Sequence, residues 1–250
     1  QKQGLTLEKM WDKTEENISI PATDMEHYAE HPDVIFVCVK GYSLQETIPF
    51  IKRIARKNTI VIPVLNIYGT GGKMQKELPD LLVTDGCIYV SANIKEPGKL
   101  LQHGQILHIV FGVRDKAEFR PELKEIQKDL CDSHIDGTLS ENIRREALEK
   151  FSYVSPIGAA GLYYHATAAD FQKEGEAREI LKAAMREVLS LSQKEGTGLT
   201  EQDFRDYLQI IDELNPNGMP SMRQDRLANR LTEVDFFAGT VIQKDAKYGL

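Results

Sequence analysis

The hydrophobic positions of the chain follow two rhythms. In the first part they gather into short unbroken runs at residues 34–39 (VIFVCV), 59–65, 86–91 and 106–111. Runs of this length, rich in β-branched residues, suit strands covered on both faces, as in a parallel sheet. Between the first two, Ser43 and Glu46 have capping-box spacing and open a helix that runs to about residue 57. Strands alternating with helices predict an α/β unit. Residues 1–33 are mostly polar, with one short strand expected around residues 18–20; they read as the tail of something begun earlier. Gly69, Gly71 and Gly72 read as turn residues.

From about Lys116 helical periodicity takes over, at residues 121–131, 140–160, 177–193, 200–214 and from 221 onward, with turns at 196–198 and 215–218. The expected division is therefore a sheet domain over residues 1–116 and a mainly helical domain over 117–250. In the helix at 140–160, Ile143, Ala147, Val154 and Gly158 share a narrow stripe, and Lys150 lies on the same face. Such a lysine can pack its stem while its ammonium reaches solvent, or pair with Glu146 at i−4. Alternatively, desolvation lowers its pKa toward neutrality and makes it a proton donor.

Residues 220–239, PSMRQDRLANRLTEVDFFAG, hold the densest set of candidate groups. Thr232 stands where a helix begins, with Asp235 three residues on, and Val234, Phe237, Ala238 and Val241 recur along one face. Glu233 is then a first-turn acid, which either only offsets the helix dipole or serves a ligand. Ser221 opens another short helix, and helix starts suit anionic ligands. In parallel sheets ligands bind beyond the carboxyl ends of the strands. Lys40, Asn66 and Ala92 each follow directly on a predicted strand. Lys40 reads as a solvated loop lysine or a contact to a cofactor phosphate. Asn66 reads as a turn residue or an amide that holds a ligand oxygen.

Composition narrows the function classes. A net charge of -7 argues against nucleic acid as the main partner, because a phosphate backbone calls for a basic face. The three cysteines, Cys38, Cys87 and Cys131, show no CxxC spacing, which fits a reducing compartment, with the cytoplasm as the default. Every apolar run is far shorter than the roughly 20 residues that cross a bilayer, so no membrane partner is expected. His27 and His31 form an i, i+4 pair without a third ligand, and the other histidines are scattered, so no metal is expected. The serines form no G-x-S-x-G elbow, which removes acyl transfer of that type.

The pattern S-M-x-Q-D-x7-E, ending in T-E-V-D-F-F, resembles the C-terminal signature of the ketopantoate reductases (2-dehydropantoate 2-reductases). The segment V-K-G-Y-S-L around Lys40 is similar to the family's V-K-x-Y-x-L, and Asn66 matches the asparagine of its Q-N-G-x-G, with Leu65 and Ile67 in place of the flanking Gln and Gly. The resemblance implies an α/β fold: a partial Rossmann-type, mostly parallel sheet followed by an all-α C-terminal domain. It implies NADP as cofactor, a 2-oxo acid as small-molecule substrate, reduction of 2-dehydropantoate to pantoate in pantothenate and coenzyme A biosynthesis, and a homodimer as a possible assembly.

By the same resemblance Lys150 takes the place of the catalytic lysine, and Glu233 lies beside cofactor and substrate. Ser221 touches the substrate, Lys40 and Asn66 hold the cofactor, and Ala92 supplies a backbone cofactor contact. The family's K-x3-N-x3-N is matched only at the lysine, since Val154 and Gly158 occupy the asparagine positions and Ala168 falls near a further one. Ser155, next to Val154, is a candidate substitute for one of these polar contacts. The family's GxGxxG turn would fall upstream of Gln1 and its end beyond AKYGL, so the chain reads as cut at both ends. Two other readings stand beside this one: a reductase of a different 2-oxo acid, and a cofactor-binding relative without catalysis.

Overall fold

A computed structural model describes residues 4–250, which form two compact units. The first takes in the chain up to Val37, Glu46–Val64 and Gly71–Glu141; the second is Cys38–Gln45, Leu65–Thr70 and Asn142–Leu250. The expected division at residue 116 differs from this: residues 117–141 pack with the first unit, and two short loop segments pack with the second.

In the first unit β1 (Leu5–Lys9) and β2 (Thr14–Ile18) form an antiparallel ribbon turned at Lys13, whose φ is 56°. Lys9 bonds Glu16 across it at 2.8 Å. The strand expected around residues 18–20 thus ends at Ile18, and β1 is an addition. Then follow β3 (Val34–Val37), α1 (Leu44–Ile54), β4 (Ile60–Pro63), α2 (Thr70–Glu77) and β5 (Leu82–Val83). Strands β3, β4 and β5 pair in parallel, with β4 buried throughout. Ser43, expected to cap the helix, falls instead within a 3₁₀ turn, Gly41–Ser43, that leads into α1.

Of the glycines expected in turns, Gly69 is one, with φ +78°, but Gly71 and Gly72 lie inside α2. A Cβ on Gly71 would collide with the Thr84 carbonyl oxygen, so close approach rather than turning requires a glycine there.

The remaining strands are β6 (Asp85–Glu96), β7 (Lys99–Gly112) and β8 (Asp136–Leu139), with α3 (Glu122–Asp132) before the last. The expected strands at 86–91 and 106–111 are the inner ends of β6 and β7, which pair antiparallel through a tight turn at Pro97 and Gly98. β7 also pairs in parallel with β1 and with β8, so the described strands form a mixed five-stranded sheet and a parallel three-stranded one, with parallel pairings in the majority as expected. The outer parts of the hairpin are exposed in β6 and only half-buried in β7, and they mix polar with apolar residues, which is why no buried run marked them. Leu123, Ile126 and Leu130 of α3 join Ile60, Ile62 and Phe111 in one core. An amphipathic pattern looks the same whether its helix covers a sheet or another helix, so the pattern of α3 does not say which unit it joins.

The second unit holds α4 (Ile143–Tyr163), α5 (Ala168–Phe171), α6 (Glu176–Glu195), α7 (Glu201–Glu213), α8 (Ser221–Leu227) and α9 (Val234–Tyr248). Asn142 caps α4, and a Thr200–Asp203 capping box opens α7. Helix α4 packs against α6, α8 and α9. Gly196, at φ +65°, ends α6.

Just before that glycine, the buried carboxylate of Glu195 accepts from Tyr68 Oη at 2.7 Å, from Tyr248 Oη at 3.2 Å and from Lys244 Nζ. Burial works against its charge, yet the bonds from Lys244, Tyr68 and Tyr248 hold the carboxyl below its ordinary value of 4.5. A depressed carboxyl stabilises the fold fully above its unfolded value and loses that contribution as the pH falls through the folded one. Glu195→Gln is therefore expected to lower the urea midpoint at neutral pH and to flatten its acid decline below pH ~4.5.

Candidate active site

Six candidates from the sequence, Lys40, Asn66, Lys150, Ser155, Ser221 and Glu233, lie in the second unit on elements that touch. The loop after β3 carries Lys40, whose ammonium bonds Glu233 Oε2 at 3.0 Å and Asp225 Oδ2 at 3.0 Å. The other Glu233 oxygen, Oε1, accepts from the Gly41 backbone N–H at 2.9 Å. Glu233 itself caps α9, where Thr232 was expected; its carbonyl accepts from Phe236 N and Phe237 N while its carboxylate turns away to the Lys40 loop. That carboxylate is 7 % exposed, so its charge rests on these partners rather than on water.

Burial disfavours the charge on Lys40, but the bonds it donates to Asp225 and Glu233 outweigh it and hold the ammonium above its ordinary value of 10.5. Lys40 is therefore a fixed cation and a poor proton donor at neutral pH.

Asp225 was not singled out from the sequence. It lies in α8, 8 % exposed, with Oδ2 on Lys40 and Oδ1 accepting from Arg230 Nε and Nη2, each at 2.9 Å. Its one signal was its place in S-M-x-Q-D. An aspartate in a short polar helix has many other readings, and only the fold brings Lys40 to it.

Asn66 is exposed in a loop whose neighbours Leu65, Ile67 and Tyr68 are buried. Ile67 is what covers Gly41: a Cβ there would meet Ile67 Cδ1 at 2.5 Å and Phe236 Cγ at 2.9 Å. The Lys40 and Asn66 loops are thus seated against each other and on the start of α9.

Lys150, on α4, is 6 % exposed and is not without a partner. Its neighbour Phe151 meets Phe237 of α9 edge-on at 6.2 Å, so Lys150 and Glu233 sit on packed helices. Ser155 is buried on the same helix, and Ser221 is the exposed first residue of α8.

Ala92 does not join this group. It belongs to the other unit and stands within β6, next to an irregularity between Val90 and Ala92, rather than at a strand end. The polar continuation of β6 to Glu96 had hidden the strand's true length. His27 bonds Asp24, and His31 bonds the Ile54 carbonyl.

Gly158 shows why one expected asparagine is missing. A Cβ at this position would lie 2.8 Å from Met222 Cε and 3.3 Å from Phe237 Cδ2. Helices α8 and α9 press directly onto the α4 backbone. Gly158→Asn is expected to cost about 1–3 kcal/mol by overpacking, read as a lower urea midpoint.

The model of "Ketopantoate reductase PanE/ApbA" matches residues 1–116, and that of "Ketopantoate reductase PanE/ApbA C terminal" matches residues 142–250. The chain belongs to the ketopantoate reductase family. With the family comes the enzyme class: it is an oxidoreductase. A relative, the 2-dehydropantoate 2-reductase of Streptococcus pyogenes serotype M3, is 23% identical over 241 residues, covering 94% of this chain and 76% of that protein.

Two solved structures share the fold. That of D-mandelate dehydrogenase with NADH and anilino(oxo)acetate has a TM-score of 0.87 at 20% identity, over 100% of this chain and 80% of its own. That of the dimeric ketopantoate reductase from Staphylococcus aureus has a TM-score of 0.85 at 20% identity, over 98% and 81%. The second family match begins at the first residue of the helical unit's long segment, Asn142.

Proposed function

We propose that this member of the ketopantoate reductase family reduces the ketone of a 2-oxo acid, 2-dehydropantoate in the first place, with NADPH as the reductant. The observation that carries the reading is Lys150: a lysine 6 % exposed, on a helix packed against the one that Glu233 caps.

The residues present suit a dinucleotide on one count in particular. An ammonium has three N–H groups. Lys40 gives two of them to carboxylates, and 40% of its side chain is exposed, which leaves capacity for one more acceptor. With Asp225 and Glu233 beside it, Lys40 offers little net positive field, so a ribose hydroxyl suits it better than a phosphate. Asn66, exposed on a pinned loop, suits a carboxamide or ribose oxygen.

The nicotinamide, when bound, supplies a hydride to the carbonyl carbon. Lys150 holds the carbonyl oxygen by its N–H, stabilises the negative charge that develops there and gives it a proton, leaving the alcohol. Glu233 holds the Lys40 loop through the Lys40 ammonium and the Gly41 N–H. Ser221 takes the carboxylate end of the substrate, with Ser155 as a polar group on α4. On this reading the product is pantoate, a precursor in pantothenate and coenzyme A biosynthesis. Among the described residues no helix is long and apolar enough to cross a membrane.

A second reading has a specific observation in its favour. Val154, Gly158 and Ala168 are apolar where asparagines were expected, and Ala168 is buried with its backbone N–H on the Gly218 carbonyl at 2.8 Å. A less polar 2-oxo acid would suit the lack of those polar side chains. Rates of NADPH oxidation with 2-dehydropantoate against alkyl and aryl 2-oxo acids decide between the two. A tenfold or greater preference in kcat/KM for an apolar acid, worth about 1.4 kcal/mol, would displace 2-dehydropantoate.

A further inference from the structure

The loop Leu65–Thr70 belongs to the helical unit although it leaves a sheet strand, and it is fastened there at several points. Thr70 Oγ1 donates to the Ile67 carbonyl at 2.8 Å, and Ile67 packs over Gly41. Tyr68 is 5% exposed: its ring lies 6.1 Å from that of Phe151 and under the Lys244 ammonium at 4.9 Å, and its hydroxyl reaches Glu195 Oε2 at 2.7 Å. A buried phenol on a buried carboxylate that also takes Lys244 and Tyr248 is a costly arrangement unless every partner is in place.

Burial and the neighbouring Glu195 carboxylate both push the Tyr68 hydroxyl far above its ordinary value of 10.0, so it stays a neutral donor at any working pH. Asn66, two residues before Tyr68, is the exposed side chain of the loop, and it is displayed by neighbours that are anchored.

We propose that Tyr68, through its hydroxyl bond to Glu195, is a positioning residue that fixes the Asn66 loop in its cofactor-binding conformation. The inference deepens the reading above and rests on it, because Asn66 has a ligand to hold only if a nicotinamide dinucleotide binds. A loop already fixed in its binding shape spares the complex the cost of ordering it. Without the latch only a fraction of molecules carries the competent loop, and the apparent affinity falls by that fraction.

Tyr68→Phe keeps the ring, its packing against Phe151 and its place under Lys244, and removes only the hydroxyl. Calorimetric titration of the purified protein with NADPH is expected to give a Kd raised about five- to tenfold, with the cofactor KM raised in step and kcat changed by less than about twofold. On an Asn66→Ala background the same change is expected to add little, because the residue it positions is already gone.

Unchanged Kd with a lowered melting temperature, or full additivity with Asn66→Ala, would overturn the proposal and leave Tyr68 a packing residue. Absence of NADPH binding by the unaltered protein would instead sink the reductase reading, and this inference with it. Should Tyr68→Phe fail to fold, Glu195→Gln, which keeps an acceptor for Tyr68 but loses the charge, is expected to raise Kd by about threefold, and no change in it would count against the proposal.

Discussion

Replacement of Lys150 by alanine is expected to lower kcat/KM for the 2-oxo acid by about a thousandfold, within the range removed with a general acid. NADPH binding should stay within about twofold, since the change removes stabilisation of developing charge rather than ground-state contacts. The physical basis is selective. Of the lysines singled out from the sequence, Lys40 is held charged by Asp225 and Glu233 and gives up its proton reluctantly. Lys150 is the one enclosed in the helical packing, where an ammonium's charge and proton act in a low dielectric. Stopped-flow measurement of NADPH oxidation separates the chemical step from binding. A Lys150→Ala variant that binds NADPH and still turns over at more than about a tenth of the normal rate would remove Lys150 from the chemistry.

The second large effect is expected at Glu233. Alanine there strips the Gly41 N–H of its acceptor and leaves Lys40 with one carboxylate instead of two. An orphaned buried donor costs about 1–3 kcal/mol, which in a chain of this size lowers the melting temperature by about 2–4 °C per kcal/mol. Activity should fall as well. Loss of a charge-assisted bond that positions the Lys40 loop is worth about 2 kcal/mol, roughly thirtyfold in kcat/KM.

Glu233→Gln separates the two effects, because its amide oxygen can still accept from Gly41. Most of the stability is expected to return while the rate stays low. A glutamine variant with full activity would show that the negative charge has no part in the reaction.

Much of this site was legible in the sequence, for a reason that also sets the limit. Lys40 and Asn66 stand three residues past the ends of β3 and β4, and the apolar runs located both strands, although each strand is shorter than its run and β3 is only partly buried. Lys150 stood out because a charged residue on an apolar stripe conflicts with its neighbours, and it is indeed buried.

Ala92 was expected at a strand end and lies within β6, because the outer half of that strand is solvent-exposed and carries no such signal. Asp225 escaped notice because its importance lies in partners distant in sequence: Lys40 reaches it from the other end of the chain. Gly71 and Gly158 follow the same logic. Both are glycines inside helices, disfavoured by local propensity and required by Thr84 in one case and by Met222 and Phe237 in the other. The place of residues 117–141 in the first unit was not legible, because α3 is amphipathic whichever core it covers.

Product analysis of the unaltered protein incubated with NADPH and 2-dehydropantoate is the most direct measurement. The expected result is pantoate formed mole for mole with NADPH consumed, at a rate that collapses in Lys150→Ala. A folded, NADPH-binding protein that consumes no cofactor with 2-dehydropantoate or with any other 2-oxo acid would contradict it.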